Sequence, residues 1–255
     1  MSFPVALPFE PVLLLWVGAV FLLAGTVKGT IGLGLPSISL GLLAATMDIK
    51  LAMILLLAPN VVTNLWQAFT GGHFRMLLKR LWLFLLCAAV AIWLGSAALD
   101  LVDAKALGAL LGLLLAVYAL LGLLRPPLSL SPRHEIWAGP LVGGLNGVLT
   151  GLTGSFVVPG VPYLQALGFT RDQLVQAMGM LFMASTLGLG VSLGGRSMLS
   201  VDLLVLSGIC VLPALLGMSL GRRLRDRLSE TGFKKVFYGS LLLLGGYIVA
   251  RWIVQ

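Results

Sequence analysis

Lys28 is the residue in this chain best placed to do chemistry. It lies in the run Gly25-Thr26-Val27-Lys28-Gly29-Thr30-Ile31-Gly32-Leu33-Gly34-Leu35-Pro36-Ser37, one cation with four glycines and a proline between two strongly apolar segments. A lysine deep in apolar surroundings costs roughly 3 kcal/mol or more unless something pairs with it. Glycine and proline interrupt a helix and leave backbone groups that hydrocarbon does not satisfy. A broken backbone beside a cation suits a polar, anionic ligand. Lys28 would supply charge, Gly29, Gly32 and Gly34 would admit an anion to backbone N–H groups, and Ser37 would add a hydroxyl. The same residues also admit plainer roles, a lysine snorkelling from a helix end and glycines that let helices pack closely.

A second break, Gly151-Leu152-Thr153-Gly154-Ser155-Phe156-Val157-Val158-Pro159-Gly160, repeats the theme without a lysine. Gly151, Gly154 and Ser155 are its candidate contributors. Asn60, Thr63, Asn64 and Gln67 are spaced i, i+3, i+4, i+7 and so share one face of an otherwise apolar helix. Gln176, Gly179, Met183 and Thr186 form a weaker counterpart. Polar stripes of this kind must face protein or water; they line a cavity or serve as hydrogen-bond glue between helices. Asn60, Asn64 and Gln176 are the candidate cavity-wall residues. No HExxH, P-loop or Ser/His pair lies in a span, and Cys87 and Cys210 fall inside apolar runs. The expectation is a protein that is not an enzyme, with no cofactor and no metal site.

These residues need long apolar elements to position them. Of 255 residues, 59% are hydrophobic and 10% charged, against about 25% charged in soluble domains. The formal charge of +8 sits between apolar runs, so it reads as topogenic charge and not as a nucleic-acid surface. Residues Met1 to Glu10 carry no Lys or Arg and so lack the basic start of a signal peptide. The predicted fold class is an all-α polytopic membrane protein of two inverted repeats, each a broken-helix hairpin plus three transmembrane helices. The first repeat, 1–125, has its hairpin at 12–47 and spans at 51–70, 81–99 and 106–124. Its opening run, Val12 to Val27, is about 16 residues or ~24 Å as a helix, short for a crossing. A cytoplasmic linker at 126–136 leads to the second repeat, 137–255, with a hairpin at 137–169 and spans at 173–193, 201–220 and 235–254. Gly29 and Gly32 map onto Gly151 and Gly154 at an offset of about 122, the internal symmetry of repeat-built transporters.

Charge decides the topology. If each hairpin enters and leaves on one side, twelve basic residues, from Arg75 through Lys235, share a side against Lys50, Lys105, Arg196 and Arg251. If each is a single broken span, the split is seven against nine. The positive-inside rule favours the hairpins, with both termini on the non-cytoplasmic side of a cell inner membrane. Hairpins entering from opposite sides would bring both breaks near the midplane. The Gly108–Gly112 and Gly217–Gly221 spacings are packing faces that leave a homodimer contact open.

Lys28-Gly29-x-x-Gly32-x-Gly34-x-Pro36, Gly151-x-x-Gly154-x-x-x-x-Pro159, the run Gly160 to Gly168 and Gln176-Ala177-Met178-Gly179 together resemble the TauE/SafE sulfite-exporter family of membrane permeases. The resemblance covers nearly the whole chain and implies transport of sulfite or organosulfonates. Phe156 departs from it, standing where that family often has glycine, which implies an asymmetric site with altered size selectivity. The expected activity is carriage of a small anion by alternating access, with a proton or sodium as a coupling ion. An anion channel and a non-transporting membrane scaffold are the alternative readings.

Overall fold

The computed structural model describes residues 11–124, 129–225 and 229–254, and every regular element among them is an α-helix. In chain order these are α1 (Pro11–Ile31), α2 (Leu35–Ala44), α3 (Ile49–Leu55), α4 (Leu57–Phe69), α5 (Phe74–Ala97), α6 (Ala104–Leu124), α7 (Pro132–Thr153), α8 (Gly160–Ala166), α9 (Arg171–Gly195), α10 (Val201–Ile209), α11 (Val211–Arg225) and α12 (Glu230–Val254). Among the described residues, six helices are long and apolar enough to cross a membrane, or seven if the bent α3–α4 pair counts as one span. The protein is therefore an all-α polytopic membrane protein. The expectations placed on residues 1–10, on Arg125, Pro126 and Pro127, and on Arg227 lie outside the described residues.

Several boundaries differ from the sequence reading, each for a local reason. α1 does not stop at Val27: it runs 21 residues, through Lys28 and Gly29, to the first left-handed glycine, Gly32 (φ 79°). The 51–70 span is two helices bent by 44° at Leu56. Pro59 has no N–H for the carbonyl of Leu55, and Ser207 Oγ takes that bond at 2.9 Å while accepting Ala58 N–H at 3.0 Å. The 201–220 span is likewise interrupted, at Cys210 between α10 and α11, and Pro213 leaves the carbonyl of Ile209 in the same position. α7 begins at Pro132, so half of the segment read as linker is helix.

Close approaches at glycine fix the helix directions. A Cβ on Gly25 or Gly29 of α1 would meet the backbone of Ala214 or Met218 of α11, and one on Gly217 or Gly221 would meet Leu22 or Thr26. Numbers rise together, so α1 and α11 are parallel. Gly143, Gly147 and Gly151 of α7 ride in the same way on Phe84, Ala88 and Ile92 of α5. The α4–α9 and α6–α12 pairs are antiparallel, Leu57 facing Gly190 and Gln67 facing Gly179 in the first, Gly112 facing Gly245 in the second. α9 runs parallel to α5, with Ala89 at Gly188 and Trp93 at Gly195. α1 runs parallel to α4, Lys28 reaching Thr63 and Gly32 reaching Gln67. By these contacts α1 and α4 point one way and α5, α7 and α9 the other. The first helix of each half thus runs opposite to that of the other half, and each pairs with a helix of the other half. The Gly217–Gly221 spacing and Gly112 are spent on this packing within one chain.

Charged contacts gather at the two faces. At one, Asp100 Oδ1 accepts from Lys50 at 2.8 Å and Asp100 Oδ2 from Arg196 at 3.2 Å, while Arg251 donates to the carbonyl of Ala45. At the other, Arg80 forks onto Glu135 at 2.7 and 2.8 Å, donates to the Leu167 carbonyl and lies over the Phe169 ring. The hydrogen bond from Lys50, joined by the charges of Lys50 and Arg196, holds the Asp100 carboxyl below its ordinary range against slight desolvation. A depressed carboxylate adds stability above its unfolded pKa and loses it as pH falls through the folded one. Because Asp100 is 58% exposed, Asp100→Asn should cost no more than about 1 kcal/mol at neutral pH. Thermal unfolding in detergent should show that gap closing under strongly acidic conditions.

Candidate functional site

The site is built where α1 crosses α4. Lys28 is 3% exposed, one turn before the end of α1, and is the one charged side chain among the buried described residues. Its ammonium donates to Thr63 Oγ1 at 3.1 Å and to Asn64 Oδ1. The Thr63 hydroxyl in turn donates to the Pro59 carbonyl at 2.8 Å, a bond made available by the i−4 geometry of α4. Accepting from Lys28 fixes the Asn64 amide so that its NH₂ faces away from the lysine, and that NH₂ is buried without a partner. Asn60, one turn earlier on the same face, is fully buried with neither amide atom partnered. A buried polar group left unpaired costs about 1–3 kcal/mol. Unpaired amides on the helix face that holds a cation form a donor set suited to an oxyanion.

Gln67 completes the stripe. Its NH₂ donates to the carbonyl of Gly32 at 3.0 Å and of Val175 at 2.8 Å, tying the first break to α4 and α9, and its Oε1 is unpartnered. Ser37, in the first turn of α2, and Ser155, in the second break, are both buried with unpartnered hydroxyls.

The glycines divide into two roles. Gly32 and Gly154 end α1 and α7 in left-handed conformation (φ 79° and 73°), and their N–H groups donate back to Lys28 and Thr150 at 2.8 and 2.7 Å. Those donors are spent, so neither offers its own N–H to a ligand. Gly34 caps α2 at φ 107°, where a Cβ would stand 2.9 Å from Phe237 and Val27. Gly29 and Gly151 do not face a ligand; they are the close-packing glycines against α11 and α5. Gln176 is also committed elsewhere. It donates to the Ala68 carbonyl at 2.8 Å and accepts the His73 N–H at 3.0 Å, holding α9 to the end of α4.

The two breaks are staggered. The first lies beside Gln67 and Val175, and the second has Gly154 against Met53 and Leu40. Met53 and Gln67 are fourteen residues apart on the bent α3–α4 pair, roughly 20 Å along the helix. α1 and α7 run 21 and 22 residues before their breaks. Between the breaks runs the face of α4 that bears Asn60, Thr63 and Asn64.

A family model described as sulfite exporter TauE/SafE matches residues 17–248. The chain belongs to that family. No curated protein and no solved structure matches it significantly. Membership makes this a membrane transporter of the sulfite-exporter kind, acting on sulfite or related anions.

Within this TauE/SafE protein the second half does not copy the first. At the offset of 122, Thr150 stands where Lys28 does and donates to the Ser155 carbonyl at 2.9 Å. Asn146 accepts the Gly160 N–H at 2.9 Å, so the start of the seven-residue α8 is already capped by the protein. Phe156 is fully buried with its ring 6.3 Å from that of Phe182. Sequence reasoning placed Thr63 on the polar stripe without pairing it to Lys28, and it passed over Asn146 and Thr150. Superimposing the two breaks at their offset would have found Thr150; an isolated asparagine in the apolar run before it was the signal for Asn146.

Proposed function

We propose that this TauE/SafE protein carries sulfite or small organosulfonates across a cell inner membrane by alternating access, with both termini on the non-cytoplasmic side and Lys28 at the substrate site. The observation that carries the reading is a buried ammonium held by Thr63 and Asn64, with the Asn64 amide donor unspent and that of Asn60 unspent one turn along the same helix. The ammonium attracts the anion, and the amide groups replace part of its hydration as it leaves water. Ser37 and Ser155 are further hydroxyl donors on the route between the staggered tips. Halves of opposite direction are the arrangement in which one bundle rocks against the other around a fixed site, and a proton or sodium would couple the movement. The polar stripe on α4 supports a path because it lies between the two breaks.

The test is flux in proteoliposomes. Sulfite uptake should saturate with concentration and should be accelerated by sulfite loaded on the opposite side. Unsaturable flux indifferent to countersubstrate would indicate a channel, and no flux above protein-free vesicles would remove the transport reading.

A further inference from the structure

We propose that the Lys28 site selects small anions by charge, taking one negative charge and rejecting two. The inference rests on the anion-site reading above and goes beyond it, because that reading is indifferent to the charge of the substrate.

The argument begins with what surrounds Lys28. Among the described residues no other buried side chain is charged, and the polar stripe of α4 that Lys28 meets through Thr63 and Asn64, with Asn60 and Gln67 on the same face, is neutral throughout. Two of the three ammonium N–H groups are held by Thr63 and Asn64, leaving one for a ligand. The Asn64 and Asn60 NH₂ groups add neutral donors. The start of α2, near the tip, adds at most roughly half a positive charge. The corresponding start of α8 is capped by Asn146, and the residue matching Lys28 is the uncharged Thr150. The second half therefore supplies no second cation.

A monoanion brought to this place makes a neutral pair with the ammonium. A dianion leaves one buried charge uncompensated, the situation that most penalises ion burial. Neutral amides stabilise the oxygens of either anion to a similar degree, so they do not remove the difference. The chemical class that fits is a small tetrahedral or pyramidal oxyanion of single charge, such as bisulfite or a simple sulfonate.

Methanesulfonate and sulfate test this, since they are close in size and differ in charge. Thermal stabilisation of the full chain in detergent is measured against each at matched ionic strength and fixed neutral pH. Methanesulfonate should half-saturate at a concentration more than about tenfold below sulfate. Lys28→Gln should remove the saturable response to both. Asn64→Leu, which keeps the cation, should weaken both anions while preserving their order. Equal or tighter response to sulfate in the unaltered protein would overturn the charge selection and leave the anion site standing. Absence of a saturable response to either anion, or its full survival in Lys28→Gln, would overturn the site and the selection together.

Discussion

Lys28→Met is expected to abolish most sulfite flux, by about a hundredfold or more, without lowering the thermal stability of the protein. The two halves of this expectation come from different physics. Hydrogen bonds to charged groups contribute about 1.5–3 kcal/mol, and 3 kcal/mol corresponds to somewhat more than a hundredfold in affinity. Methionine keeps most of the volume of lysine and offers an anion nothing. Stability moves the other way. Burying an ammonium at 3% exposure with two neutral partners is expensive, and relief of that cost offsets the about 1–3 kcal/mol of leaving Asn64 Oδ1 without its donor. The variant should insert, purify as a single species and unfold at an equal or higher temperature. If Lys28 were a structural tie between α1 and α4, the pattern would reverse, with flux largely retained and stability lost.

Gly217→Leu is expected to be among the most damaging single changes outside the site. A Cβ at that position runs into the carbonyl of Leu22 and stands 2.8 Å from the Thr26 nitrogen. Gly25 and Gly29 face Ala214 and Met218 from the other side, so each helix lays small residues four apart against the backbone of its partner. Backbone cannot rotate away as a side chain does, and overpacking of this kind costs about 1–3 kcal/mol and sometimes more. Because Lys28 lies between Gly25 and Gly29 in sequence, parting α1 from α11 also disturbs the angle at which the ammonium meets α4. The variant should unfold several degrees lower and lose transport with it. Gly18 of α1 is the control: nothing lies within 4 Å of a Cβ there, so Gly18→Ala should leave transport unchanged. It should also stabilise the helix by roughly 0.5–1 kcal/mol through its better propensity. Unfolding temperatures of the two variants in one detergent decide the matter.

Much of the fold was legible because lipid imposes a strict pattern. Long apolar runs and basic loops set the all-α, many-span architecture; the charge arithmetic favours hairpins, and α1 runs parallel to α4. Kinks were less legible. Pro59 and Pro213 are visible in the sequence, yet whether a helix bends there depends on a distant partner such as Ser207 for the freed carbonyl. The end of α1 is hidden in the same way: Lys28 looks like the mark of a break, whereas the break waits for a glycine in left-handed conformation at 32.

The site was half legible. Lys28 and the asparagines on α4 announce themselves as polar residues in apolar helices. The glycines do not announce which role they have. Gly29 and Gly32 look alike in sequence, but one lies against the backbone of α11 and the other turns the chain. Gln176 shows the same limit: its type and depth suit a cavity, and only the positions of Ala68 and His73 reveal that its amide is already engaged.

The most direct test of Lys28 as the anion site is to locate a bound anion. Selenite, the heavier analogue of sulfite, can be placed by anomalous scattering in crystals of the full chain. It should lie within hydrogen-bond reach of Lys28 Nζ and the Asn64 amide, on the face of α4 that also carries Asn60. Selenite found only at the exposed basic residues of the membrane face, such as Arg75 and Lys79 at the start of α5, with none at Lys28, would contradict it.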